Sequence, residues 1–211
     1  MTKSDVSTRY QDYVIQEGRL IGKFDEMYKN SAEVPWHQDE TACAIFSDHT
    51  VTLIRRLHPK SLLDVGCGLG YVTSRLKGEI EGLDDVHGVD ISATAVARAN
   101  AMHPNIRFSS VRLIDLEEKY DVVVSKDVLW YVLDELRSFL AALVSHAKKF
   151  VYIGQSFPEK SPYLGEGVFP NPAAIRQYIE AQGYTVIYQL IERDQHYANR
   201  EYVHLIIEIN P

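Results

Sequence analysis

From residue 61 onward the chain alternates short β-favouring apolar runs with stretches of helical periodicity. Ser61–Val65 predicts a strand, with a helix from about Gly70; Val86–Val89 and Ile106–Ser109 predict two more strands around a helix over Ala93–Met102. Tyr120–Ser125 predicts a fourth strand. A helix over Leu133–Ala147, a strand over Lys149–Ile153, a Pro- and Gly-rich loop to Pro170 and a helix over Pro172–Gln182 follow. Strands alternating with helices pair in parallel through right-handed crossovers, as in doubly wound α/β sheets. The tail breaks the rhythm. Tyr184–Glu192 and Tyr202–Ile209 are strand-like with no helix between them, which predicts an antiparallel hairpin closing the sheet.

Ahead of the first strand lie two helical patterns, over Thr8–Tyr28 and Thr41–Leu57, separated by Val34-Pro35-Trp36-His37, where the proline ends any helix. This leader has no place in the sheet, so it packs on a face or covers the ligand crevice. No repeat, low-complexity tract or linker-like break divides the chain. The expected organisation is one domain, with residues 1–58 as an N-terminal helical cap or lid and 59–211 as the core.

Composition narrows the function classes. The chain has 211 residues, 45% hydrophobic, enough for one well-buried domain. A formal charge of -7 disfavours a nucleic-acid partner, because phosphate backbones are held by clustered Lys and Arg. Two cysteines, Cys43 and Cys67, make no disulfide framework. The polar start lacks a secretory pattern, and no apolar run is long enough to span a bilayer. The expectation is a soluble, cytoplasmic protein without membrane partners.

The chemistry concentrates where the first predicted strand ends. Ser61-Leu62-Leu63-Asp64-Val65 runs into Gly66-Cys67-Gly68-Leu69-Gly70 before a helical pattern begins. Glycines there let the backbone turn sharply and approach a ligand, at the strand end where open α/β sheets form their crevice. Twenty residues after Gly70, Asp90 ends the next strand, the place from which a carboxylate accepts hydrogen bonds from ribose hydroxyls. Dinucleotides and S-adenosylmethionine (SAM) both carry such a ribose. The third glycine comes one residue earlier than in the dinucleotide fingerprint, and Asp64 ahead of the loop repels a pyrophosphate but suits the cationic aminoacid end of SAM.

Leu63–Gly70 followed by Gly88-Val89-Asp90-Ile91-Ser92 resembles the first two motifs of class I SAM-dependent methyltransferases. Tyr120–Leu129 is similar to that family's fourth strand and the turn that closes over the donor. The resemblance covers about residues 60–155 and implies a Rossmann-like, seven-stranded sheet with an antiparallel last strand. It implies SAM as cofactor, with Gly66, Cys67, Gly68 and Gly70 around the methionine moiety, Asp90 at the ribose, Ile91 at the adenine, and Asp64 and Ser125 near the aminoacid end. The family's acidic residue near the adenine has no counterpart in Ser110-Val111-Arg112-Leu113, which leaves the backbone around Val111 and Arg112 for that role.

The acceptor side is drawn less sharply. His37 is the candidate general base, and Lys126 and Asp127 lie next to the expected donor. Tyr10, Tyr13, Trp36, Trp130 and Tyr131 are candidate walls of an acceptor pocket, with Gln155 opening a long loop through Tyr163-Leu164-Gly165. Arg193, His196 and Arg200 are placed to meet an anionic acceptor. The eight histidines are scattered singly, so no metal is expected. The partner expected is a small polar metabolite, a sugar or sugar nucleotide being one form, methylated on O or N. A catalytically silent SAM-binding scaffold and an NAD-dependent oxidoreductase are the competing functions, and oligomeric state is left open.

Overall fold

The computed structural model describes residues 7–158, 164–194 and 200–209. Seven strands, β1 (Ser61–Val65), β2 (Asp85–Asp90), β3 (Arg107–Ser110), β4 (Tyr120–Lys126), β5 (Ala147–Pro158), β6 (Thr185–Asp194) and β7 (Arg200–Glu208), form one mixed sheet in the order 3-2-1-4-5-7-6. Strands β1 to β5 pair in parallel, and β7 lies antiparallel between β5 and β6. The doubly wound sheet with its antiparallel last strand is as expected. The order reverses between β1 and β4, so a ligand crevice opens at the carboxyl ends of β1 and its neighbours.

Both faces of the sheet are covered, which explains the continuous apolar strands. Leu63, Val123, Val151, Ile153 and Leu205 face α7 (Leu136–His146) and α8 (Pro172–Ala181). Their alternates Leu62, Val122, Val124, Tyr152 and Ile206 face α4 (Ile45–Arg55) and α5 (Tyr71–Glu79). The period of two sorts each strand between the faces. Helix α6 (Ala93–Met102) packs on Phe108 of β3 through Val96 and Ala99. No helix among the described residues is long and apolar enough to cross a membrane.

The leader departs from the expected pair of helices. The Thr8–Tyr28 pattern divides into α1 (Gln11–Val14), a hairpin pairing Ile15–Gln16 with Arg19–Leu20, and α2 (Phe24–Asn30). Glu17 and Gly18 both take positive φ, the geometry of a tight hairpin turn, and interrupt the helix. A 3₁₀ turn over Pro35–His37 leads into α3 (Gln38–Thr41), which separates from α4. The leader takes both expected positions: α4 packs on a sheet face, and Tyr13, Val14, Met27 and Tyr28 pack with Leu69 and Ala95 over the glycine loop.

Two further boundaries differ. Strand β5 continues past Ile153 to Pro158 because β7 supplies a ladder partner at every step to Arg200, so Gln155–Pro158 is strand and not loop. Leu133–Glu135 is a separate 3₁₀ turn, and α7 starts at Leu136.

Candidate active site

A cavity of about 670 Å³ opens at the carboxyl ends of β1, β2 and β4. One wall includes Asp64, Gly66, Cys67, Asp90, Ile91, Val111 and Arg112, and the other is drawn from the leader, the turn after β4, the end of β5 and Arg200. The volume falls within the range of small-molecule sites.

Strand β1 delivers its chain into the glycine loop. Gly66 has φ +75°, and a Cβ there would stand 2.5 Å from Val128 Cγ2, so only glycine lets the turn after β4 close on the loop. The N–H groups of Gly66 and Cys67 are fixed by Val89 O. The other two glycines have different duties from those expected. Gly68 faces Gln38 and the Tyr28 hydroxyl, and Gly70 turns toward Phe108 and His103 as it starts α5, so neither lines the cavity. Both shape the loop and admit its neighbours closely.

Asp90 presents a fixed carboxylate at the cavity wall. Its Oδ2 accepts the Gly68 N–H and its Oδ1 the Ser92 N–H, both at 2.9 Å, which fixes the carboxylate and leaves each oxygen further acceptor capacity. Burial raises its pKa against the lowering effect of these bonds. Ser92, not Asp90, caps α6, through its hydroxyl to the Ala95 N–H. Ile91, Val111, Leu113 and Ile114 add an apolar border on the adjacent wall. The Val111 N–H is already donated to Asp90 O, and the Arg112 guanidinium is paired with Asp115. The Val111 N–H and the Arg112 guanidinium are therefore both engaged, and what these two side chains offer a flat base is surface and shape.

Asp64 lies deep in the cavity, 3% exposed, with Oδ2 accepting from the Thr73 hydroxyl at 2.6 Å. Burial pushes its carboxyl up to about 6, although the Thr73 bond and the charge of Lys126 pull the other way. Ser125 is fully buried and is not on the cavity wall, because β4 turns that side chain inward beside β1. Its hydroxyl has no hydrogen-bond partner in the structure.

Residues missed by sequence reasoning bind leader to loop. Gln38 accepts the Leu69 N–H at 2.9 Å and donates to the Tyr28 hydroxyl at 2.8 Å. No spacing in the sequence signals a contact between α3 and the glycine loop. Trp36 lies two residues before Gln38, ringed by Tyr10, Phe24, Tyr28 and Tyr131 at 5.6 to 6.2 Å between ring centres. Trp36 and His37 both have left-handed backbones, φ 55° and 50°, and both line the cavity. Non-glycine residues held there carry strain that neighbouring packing must sustain. Tyr13, expected at the acceptor wall, packs instead in the leader's own core, and its hydroxyl donates to Ser7 O at 2.5 Å.

On the far wall, Asp127 also has a left-handed backbone, φ 58°. Its Oδ1 accepts the Ser156 N–H and its Oδ2 the Lys126 ammonium, each at 2.8 Å. Burial would raise its carboxyl, but Lys126 and the Ser156 bonds outweigh this and hold it below the usual range. The Lys126 ammonium lies 4.9 Å from the Phe46 ring centre, and the Arg200 guanidinium lies 5.9 Å from the same ring. Gln155 is buried at the wall, where its Oε1 accepts the Leu129 N–H and orients the turn after β4. Trp130 donates Nε1–H to Ser156 O and packs so closely on Gly165 that a Cβ there would clash. The described part of the loop expected to bind a ligand thus serves packing at Gly165 and Phe169. Tyr163 and His196 lie outside the described residues.

Residues 63–149 match the family described as a methyltransferase domain. A 90-residue stretch is 31% identical to the ubiquinone biosynthesis O-methyltransferase of Rickettsia conorii, covering 41% of this chain and 31% of that protein. The chain thus spans about a third of the length of the curated relatives it matches. Among solved structures, the SAM-bound magnesium protoporphyrin IX methyltransferase of Synechocystis superposes with a TM-score of 0.61 at 22% identity, over 87% of this chain and 88% of that one. A SAM-dependent methyltransferase from Aquifex aeolicus does so with a TM-score of 0.65 at 18% identity, over 84% and 97% of the two chains. Residues 63–149 are thus similar to a methyltransferase domain, and the chain has the fold of these SAM-dependent methyltransferases.

Proposed function

We propose that this chain moves a methyl group from SAM to an O or N atom of a small polar metabolite that bears an anionic group, a sugar nucleotide being one such acceptor. The observation that carries the donor assignment is Asp90. Its carboxylate is fixed by two backbone donors at the cavity wall, beside a glycine turn that a Cβ at Gly66 would block. Asp90 would hold the ribose, Gly66 and Cys67 the methionine moiety, Ile91 and Val111 the base, and Asp64 the ammonium of the aminoacid end.

Bound SAM supplies an electrophilic methyl on a sulfonium, so the protein's work is to hold the acceptor atom in line and exclude water. Trp36, Tyr10 and Tyr131 shield the cavity on the leader side. Lys126 and Arg200, both on the cavity wall and both beside Phe46, would seat the acceptor's anionic group. His37 would take the proton from an acceptor hydroxyl. It lines the cavity on a strained turn, whereas Asp127 is held by Lys126 in a weakly basic state.

Methyl-labelled SAM incubated with matched acceptors, each with and without a phosphate or carboxylate, tests this reading. Label should pass to hydroxyl or amine acceptors that carry the anion. Equal transfer to the uncharged partners would overturn the anion assignment, and SAM binding without transfer to any acceptor would favour a silent scaffold.

A further inference from the structure

A second polar cluster lies outside the donor cavity, where α4 meets the last two strands. His49 Nδ1 stands 2.7 Å from Glu192 Oε2, and the other oxygen of that carboxylate stands 2.5 Å from His204 Nε2. The three ligand-type atoms lie within 4.8 Å of one another. We propose that His49, Glu192 and His204 form a site for a divalent metal ion of the zinc type, which clamps α4 onto the C-terminal hairpin.

The donor set is two imidazole nitrogens and a carboxylate oxygen, a combination zinc accepts with a further position left for water. The side chains are graded from inside to outside: His204 is 0% exposed, Glu192 14% and His49 43%. An ion can therefore enter from solvent and be anchored from the interior. The outer shell is already in place. His204 Nδ1 lies 2.7 Å from the Tyr152 hydroxyl, Tyr152 lies 2.8 Å from Thr50 Oγ1, and the Thr50 hydroxyl donates to Phe46 O at 2.9 Å. Because that carbonyl only accepts, a consistent chain runs Thr50 to Phe46, Tyr152 to Thr50 and His204 Nδ1–H to Tyr152. This tautomer turns the lone pair of Nε2 toward Glu192, the ligating form of a histidine whose other nitrogen is tied to a partner. A lone pair facing a carboxylate oxygen repels unless a cation or a proton lies between them.

The place of the cluster gives the ion a purpose. His49 and Glu192 are 143 positions apart, so the ion would close the leader onto the hairpin. Phe46, three residues before His49 on α4, stacks on Tyr202 with 4.8 Å between ring centres and carries Lys126 on the cavity side. Fixing this end of α4 fixes the wall assigned above to the acceptor.

Metal-stripped, untagged protein titrated with Zn²⁺ alone, and separately with Co²⁺, tests the site without recourse to methyl transfer. One equivalent per chain should bind and raise the Tm, and Co²⁺ should give visible absorption typical of low-coordinate imidazole ligation. Glu192→Gln and the solvent-facing His49→Ala should abolish stoichiometric binding while SAM binding is retained, which shows that they fold. Tyr152→Phe should weaken the metal by about 10- to 100-fold, the usual cost of removing an outer-shell partner. Absence of a bound equivalent in the unaltered protein, or equal affinity in Glu192→Gln or His49→Ala, would overturn the proposal.

Discussion

The two walls of the cavity are made in different ways. The donor wall comes from consecutive strand ends, and its chief contacts are backbone ones: Val89 O holds Gly66 and Cys67, and Asp90 holds Gly68 and Ser92. The acceptor wall is assembled from segments far apart in the chain, Trp36 and His37 of the leader, Phe46 of α4, Lys126 and Asp127 after β4, and Arg200 of β7. Three of its residues, Trp36, His37 and Asp127, sit in left-handed backbone conformations. The donor wall therefore follows from the fold itself, whereas the acceptor wall depends on how loops and leader dock upon it.

Substitutions can separate the two walls. The largest effect is expected from Asp90→Ala, which removes the fixed carboxylate: SAM affinity should fall about 100- to 1,000-fold by calorimetry, as charge-assisted hydrogen bonds to both ribose hydroxyls are lost. His37→Ala belongs to the other wall. It should lower kcat about 100-fold at saturating SAM, the scale of one general base, with the Kd for SAM unchanged. An equal loss of SAM affinity would mean that the leader serves the donor as well.

Lys126→Met should raise KM for an anionic acceptor about tenfold more than for an uncharged analogue, which reports only the loss of the Asp127 pair, as measured in steady-state kinetics. The smallest effect concerns pH. Asp64 titrates near 6 in the folded chain, above its ordinary range, so the native state binds the extra proton and stability falls as pH rises toward 6. The charge that attracts the ammonium of SAM grows over the same interval. SAM binding should tighten about fourfold between pH 5.5 and 7.5, in proportion to the ionised fraction, and Asp64→Asn should flatten the profile.

This difference between the walls also governs what the sequence reveals. Strand alternation and the Gly66–Gly70 loop are local signals, so the sheet, its final hairpin and the place of Asp90 are legible from residue spacing. Which way Ser125 turns depends on one step along a strand, and what Gly68 and Gly70 face depends on turn geometry, neither of which residue spacing gives. The Thr8–Tyr28 helix fails at Glu17-Gly18, where a local turn overrides helical periodicity. Gln38 against Leu69, and His49 with Glu192 and His204, are invisible in the sequence. Their partners meet only through tertiary packing, so histidines that look scattered along the chain stand together in space.

The most direct test of the central claim is a calorimetric titration of the unaltered chain with SAM and, separately, with NAD. One saturable SAM site per chain and no heat attributable to NAD are expected. Saturable binding of NAD, or no binding of SAM, would contradict that claim.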